Sequence, residues 1–207
     1  MRFYDWLLKK YGYNEPIFTS EIEFEDYSRP WIFKELNELC RKGMLARYEK
    51  GICYIPKTTF LGKTLLDPRK VIAKKYISSN GDVVGYYSGN TLLNLMDLSS
   101  QMSNSIEIYT NNEKTKIREI KIGSQKVILR RSRTKVTKEN SAVMQLLELM
   151  NFTSAEFFDK ERRKTVCRFI KEKNITRKMI TEYAPFFPDK AIRNLIASEV
   201  IYHILSK

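Results

Sequence analysis

Lys34, Asn37 and Arg41 recur every three to four residues within SRPWIFKELNELCRKGMLARYEKGICYIP (28–56), the spacing that lines side chains along one helix face. An ammonium, a carboxamide and a guanidinium suit nucleic acid: Lys34 and Asn37 could reach base edges in a groove, and Arg41 a phosphate. On a helical wheel Trp31, Lys34, Glu38 and Arg41 lie opposite the apolar set, with Asn37 and Lys42 flanking. Trp31 is therefore expected on the wet side, covered by a sugar or a thymine methyl. Ser28 and Arg29 fall at the helix N-terminus, where oriented N–H groups favour a phosphate. Arg47 and Lys50 follow on a short hairpin that would straddle the backbone or enter the minor groove.

A second set, Lys121, Lys126, Arg130, Arg131, Arg133 and Lys135, lies in KIREIKIGSQKVILRRSRTK (116–135). Basic residues alternate with Ile, Val and Leu over much of it, which predicts a hairpin with one apolar and one cationic face. No acid interrupts 130–135, and mutual repulsion there favours an anionic ligand, either nucleic acid or an acidic protein. Residues 111–140 hold ten Lys/Arg against three Asp/Glu, more than half of the net +13. Residues 1–57 hold ten against nine, and are basic only in 29–57, with seven against three.

Catalytic chemistry has little to work with. The single histidine, His203, sits on an apolar helix and reads as a packed or surface side chain. Glu21, Glu23, Glu25 and Asp26 cluster beside a turn as solvated carboxylates, with no second cluster to complete a two-metal site. The run 85–89, GYYSG, has the wrong spacing for a nucleophile elbow, and neither a P-loop nor a dinucleotide fingerprint occurs. The expectation is a non-enzyme without cofactor or metal.

The elements that must position these groups can be read from period and punctuation. Residues 3–11 form an amphipathic helix with Phe3, Leu7, Leu8 and Tyr11 on one face. Ile17 and Phe18 make a minimal strand before a short helix opened by Thr19 or Ser20, with Ile22 and Phe24 inward. Ser28 caps a helix over 29–43 with Pro30 in its first turn, Ile32, Phe33, Leu36, Leu39 and Cys40 inward, and Gly43 as its stop. Strands at 44–48 and 52–55 flank a Glu49-Lys50-Gly51 turn. That order is the order of a winged helix-turn-helix over 1–57, a module that places a helix in the major groove.

Residues 57–66 read as a linker. A larger α+β domain follows over 65–207, sheet-containing to 136 and helical from 137. Asp67-Pro68 starts a helix to about 77, Asn80-Gly81-Asp82 turns, 83–87 is a strand and 91–97 a short helix. Strands at 106–110, 117–122 and 126–131 and helices at 137–151, 153–173, 176–184 and 188–205 complete it. Cys40, Cys53 and Cys167 are too widely spaced for a zinc site, and their odd number argues for a reducing compartment. With no secretory pattern and no apolar run near the ~20 residues of a membrane span, a cytoplasmic protein is expected.

The stretch GYYSGNTLLNLMDLSSQMSNSIEIYTNN (85–112), behind a winged-helix-like N-terminus, resembles the AbiEi-type antitoxin family of abortive-infection toxin–antitoxin systems. The likeness lies in Gly-x-Tyr-Ser-Gly, a Leu-rich short helix, Leu98 and Gln101, and a strand ending in Thr-Asn; basic strands and a helical tail follow in the same order. Physically the stretch is structural: Gly85 and Gly89 permit close packing or a turn, and Leu92, Leu93, Leu95 and Leu98 are core. The resemblance implies an autorepressor that binds double-stranded operator DNA, as a monomer or as a homodimer on inverted repeats. It further implies an antitoxin that counteracts a nucleotidyltransferase-like toxin, directly or only functionally. The competing expectations are a protein-interaction module whose basic hairpin grips an acidic partner, and a nucleic-acid-processing enzyme.

Overall fold

The computed structural model describes residues 2–79, 81–101 and 103–204. The chain is α+β and divides into two compact units, Met1–Lys74 and Lys75–Lys207.

In the first unit, α1 (Phe3–Tyr11) buries Phe3 and Leu7 and stops at Gly12, whose φ of 78° only glycine takes up without strain. Strand β1 (Ile17–Phe18) leads into a single 3₁₀ turn, Thr19–Glu21, in place of the expected short helix; Ile22 and Phe24 are nevertheless buried. Then come α2 (Arg29–Arg41), β2 (Ala46–Glu49) and β3 (Ile52–Tyr54). The three strands form an antiparallel sheet ordered β1-β3-β2, with a register shift between Arg47 and Glu49. One apolar core gathers Leu7, Ile17, Ile22, Leu36, Leu45 and Ile55 from all of these elements.

The expected linker is ordered as a small hairpin, β4 (Thr58–Thr59) and β5 (Gly62–Lys63), whose turn residues Phe60 and Leu61 are exposed. Asp67 accepts from the Arg69 N–H (2.9 Å) at the head of α3 (Pro68–Tyr76). Lys74 pairs with Glu21 (3.0 Å) and donates to the Pro16 carbonyl (2.9 Å), and Lys70 pairs with Glu15. These ties hold most of α3 in the first unit, so the division falls at 74/75 and not in 58–64.

The second unit starts with β6 (Ser78–Ser79), β7 (Asp82–Val83) and β8 (Gly85–Ser88); of the expected 80–82 turn, Asn80 lies outside the described residues. Helix α4 (Gly89–Leu95) links β8 to β9 (Ser105–Thr110), and β10 (Ile117–Ile122) and β11 (Gln125–Arg131) turn about Gly123-Ser124 as predicted. The sheet runs β10-β11-β9-β8; β11 and β9 are parallel, the other pairs antiparallel.

The 85–112 stretch is structural in detail. A Cβ on Gly85 would stand 2.1 Å from the Tyr76 carbonyl oxygen and 2.6 Å from that of Tyr109, so the strand closes only around glycine. Asn111 clamps the segment after β11, donating to the Val136 carbonyl (2.8 Å) and accepting from the Val136 N–H (2.9 Å) and the Ser132 hydroxyl (2.9 Å). Leu92, Leu93 and Leu98 are core, but Leu95 is exposed on the outer turn of α4.

Four helices follow: α5 (Ser141–Phe152), α6 (Lys160–Glu172), α7 (Arg177–Tyr183) and α8 (Asp189–Ala197), and a last 3₁₀ turn spans Val200–His203. The predicted 153–173 helix is broken, because Asp159 caps a new one by accepting from the Arg162 N–H (2.9 Å). The predicted 188–205 helix ends at Ala197, where Glu199 turns the chain at a φ of 62°. Helix α5 is buried on nearly all sides and centres this unit's core with Ile170, Leu195 and Val200. Among the described residues no helix is long and apolar enough to cross a membrane.

Candidate nucleic-acid interface

Helix α2 forms where an extended Ser28 precedes Pro30 in the first turn, and it buries Ile32, Leu36 and Leu39. Ser28 occupies the N-cap position, but its hydroxyl makes no capping hydrogen bond. Arg29 points back, donating to the carbonyls of Thr19 (3.1 Å) and Ser20 (2.8 Å), so it pins the 3₁₀ turn to the helix.

Two aromatic side chains depart from the wheel. Trp31 is not on the wet side: it stacks on Tyr27 (centroids 3.9 Å apart) and Phe24 (6.1 Å) and meets Phe3 edge-on (5.5 Å). The 22–27 turn and α1 cover the start of α2, which a wheel of α2 alone cannot represent. Phe33, counted as core, is 47 % exposed and stands beside Lys34 and Asn37.

Lys34, Asn37 and Arg41 are exposed on one stripe, and among the described residues Lys34 makes no ion pair. Arg41 is engaged: its Nη2 lies 2.9 Å from the Glu38 carboxylate, which Lys42 also approaches at 3.3 Å. Arg41 first, then Lys42, holds the Glu38 carboxyl below the usual carboxylate range. Arg47 on β2 donates to Asn37 Oδ1 (2.7 Å), which ties helix to hairpin. Asn37 Oδ1 keeps a second lone pair and its Nδ2 both hydrogens, so the side chain can meet a base edge while it holds Arg47. Phe33, Asn37, Arg47 and Lys50 line an open groove of about 390 Å³ between α2 and the β2–β3 turn.

The six cations of the second surface divide. Arg133 is half-buried: its Nε lies 3.1 Å from the buried Glu148 carboxylate of α5, and its guanidinium covers the rings of Tyr109 (5.5 Å) and Phe187 (5.0 Å). Burial works against that charge, but Glu148 outweighs it and raises the Arg133 pKa. Arg130 faces Glu107 of β9 (3.6 Å), and Lys126 pairs with Glu119 across the hairpin (2.7 Å). Lys121, Arg131 and Lys135 remain exposed and, among the described residues, without an ion-pair partner. The expectation of 130–135 as an uncompensated run is corrected: its acids come from β9 and α5, remote in sequence and adjacent in the fold.

Elsewhere, burial pushes the Cys53 thiol up to about 12 and raises Cys40 and Cys167, the direction of inert side chains. Glu21 is not a free carboxylate but the partner of Lys74 (3.0 Å). His203 is exposed on the last 3₁₀ turn. Among the described residues no three His, Cys, Asp or Glu side chains converge as a metal site requires. No family model matches this chain, and neither the curated proteins nor the solved structures gave a match.

Proposed function

We propose that the protein binds double-stranded DNA through α2 and the β2–β3 hairpin, as a winged helix does. The observation that carries this reading is the 2.7 Å bond from Arg47 to Asn37. It fixes the hairpin beside the exposed stripe of α2, so that Phe33, Lys34, Asn37, Arg47 and Lys50 present one surface. In this arrangement Lys34 and Asn37 enter the major groove, Phe33 supplies the apolar contact first assigned to Trp31, and Arg47 and Lys50 hold the backbone. The order α1-β1-α2-β2-β3 supports the same reading. The larger role, an antitoxin that represses its own operon and counteracts a nucleotidyltransferase-like toxin, is proposed from the likeness at 85–112.

Lys34→Ala with Arg41→Ala tests the helix. Affinity for the fragment upstream of the gene should fall about tenfold in a fluorescence titration. Unchanged affinity would remove α2 from the interface. Co-expression with the product of an adjoining nucleotidyltransferase-like frame tests the antitoxin role, and growth arrest that this protein does not relieve would reject it. The alternative that the basic hairpin grips an acidic partner is less favoured, because Lys126, Arg130 and Arg133 already face acids of the same unit.

A further inference from the structure

A concavity of about 710 Å³, open to solvent, runs along α6. Lys160, Lys164, Arg168 and Lys171, spaced three or four apart and therefore on one face, line it together with Arg163. His203, on the last 3₁₀ turn, forms the opposite wall. That wall is fixed in place: Glu199, in the left-handed conformation just before the turn, pairs with Arg163. Lys164 pairs with Glu161 one turn back (2.9 Å). Lys160, Arg168 and Lys171 are exposed and have no ion-pair partner among the described residues. They span 11 positions of a helix, about 16 Å at ~1.5 Å per residue. Cys167 also faces the groove, and burial raises its thiol despite Lys171 and Arg163, so it adds no nucleophile.

Three uncompensated cations in a row along a groove wall match a repeating anion better than a single one. The near absence of acid from the lining (Glu172 alone) and of any aromatic slot within it argues against a mononucleotide pocket. Tyr202, next in the chain to the groove's His203, is 73 % exposed and lines a second, smaller concavity of about 330 Å³ with Arg177. Single strands are held by a cationic track for the phosphates with an exposed ring nearby for a base, and His203–Tyr202 carries the chain from the groove wall to such a ring. We propose that the α6 groove binds single-stranded nucleic acid, without reading its sequence, as a second site separate from the α2 surface.

The full-length protein is titrated with a fluorescent 20-nucleotide single strand of scrambled sequence and with the matching duplex, across a salt series. In the variant Lys160→Ala/Arg168→Ala/Lys171→Ala, affinity for the single strand should fall at least about tenfold. Its log–log salt slope should shrink by about 2, at ~0.7 per lost phosphate contact. Tyr202→Ala should weaken the single strand several-fold and leave the duplex unchanged. Both losses should persist in a Lys34→Ala/Arg41→Ala background, so a failure of the α2 reading does not carry over. The three cations are exposed, so the thermal midpoint of the triple variant should match wild type; Lys160→Arg/Lys171→Arg should keep full binding. An unchanged slope in the triple variant overturns the proposal. So does an equal or larger loss on the duplex, or displacement of the strand by poly-glutamate as readily as by unlabelled strand of equal charge.

Discussion

The β10–β11 hairpin with the segment behind it, and the outer face of α6, are both rich in cations, and their cations do different work. In the hairpin region sheet pairing and packing bring acids alongside: Glu119 to Lys126, Glu107 to Arg130 and Glu148 to Arg133. On α6 the acids that pair are local or belong to the wall, and they leave Lys160, Arg168 and Lys171 unmatched. Net charge along a segment therefore does not measure the field it presents. In a sheet the nearest charges sit on other strands, whereas on a helix they sit three or four residues away and can be counted from the sequence.

The sharpest way to break this comparison is by stability. Arg133→Ala leaves the Glu148 carboxylate, which is 5 % exposed, without a counter-charge and with Asn151 as a neutral donor (3.1 Å), and it strips cover from Tyr109 and Phe187. The second unit should lose about 3 kcal/mol in urea unfolding. Arg168→Ala on α6 should stay within about 0.5 kcal/mol of wild type. Equal effects would mean that both sets of cations are structural, or that neither is.

Trp31→Ala comes next, and it separates core from interface on α2. Trp31 is partly buried in a stack with Tyr27 and Phe24, so its loss should cost about 2–3 kcal/mol of stability. DNA affinity of the folded fraction should be kept. Phe33→Ala should do the reverse, sparing the thermal midpoint and weakening DNA binding several-fold. Loss of affinity without loss of stability at Trp31 would restore that side chain to the groove.

What was legible in the chain follows the range of the interactions involved. Helix α1, α2 after a Ser-x-Pro start, the β2–β3 pair and the hairpin expected at 117–122 and 126–131 rest on local period and punctuation, and these were readable; the β4–β5 hairpin inside the expected linker and the two-residue β6 were not. Trp31, Phe33 and the partners of Arg130 and Arg133 depend on contacts between elements, which no single-element wheel contains. The break before α6 did have a local sign: Asp159 followed by Lys160-Glu161 is a helix start, overlooked inside an apparently continuous pattern. The three cations of α6 were legible as residues, but that helix's wet side becomes a groove because the last 3₁₀ turn is held against it, by Val200 and Ile204 in the core with Val166 and Ile170 and by the Glu199–Arg163 pair.

The smallest effect applies the same logic to α2, where Glu38 does locally to Arg41 what Glu148 does remotely to Arg133. Glu38→Gln removes the negative charge that Arg41 and Lys42 pair with, without changing shape, and so loosens two cations beside the proposed interface. An exposed pair of this kind is weak, so the gain should be about twofold in duplex affinity, shrinking as salt rises. Arg41 holds the Glu38 carboxyl below its ordinary value, so the carboxylate form and its pairing are complete above the unfolded pKa and vanish only as pH falls through the lower folded one. The twofold gap between variant and wild type should therefore stay constant from about pH 8 to about pH 5. A gap that closes within that window would place the titrating group elsewhere, and a loss of affinity in Glu38→Gln would show that the Glu38–Arg41 pair orients Arg41 for the phosphate rather than competing with it.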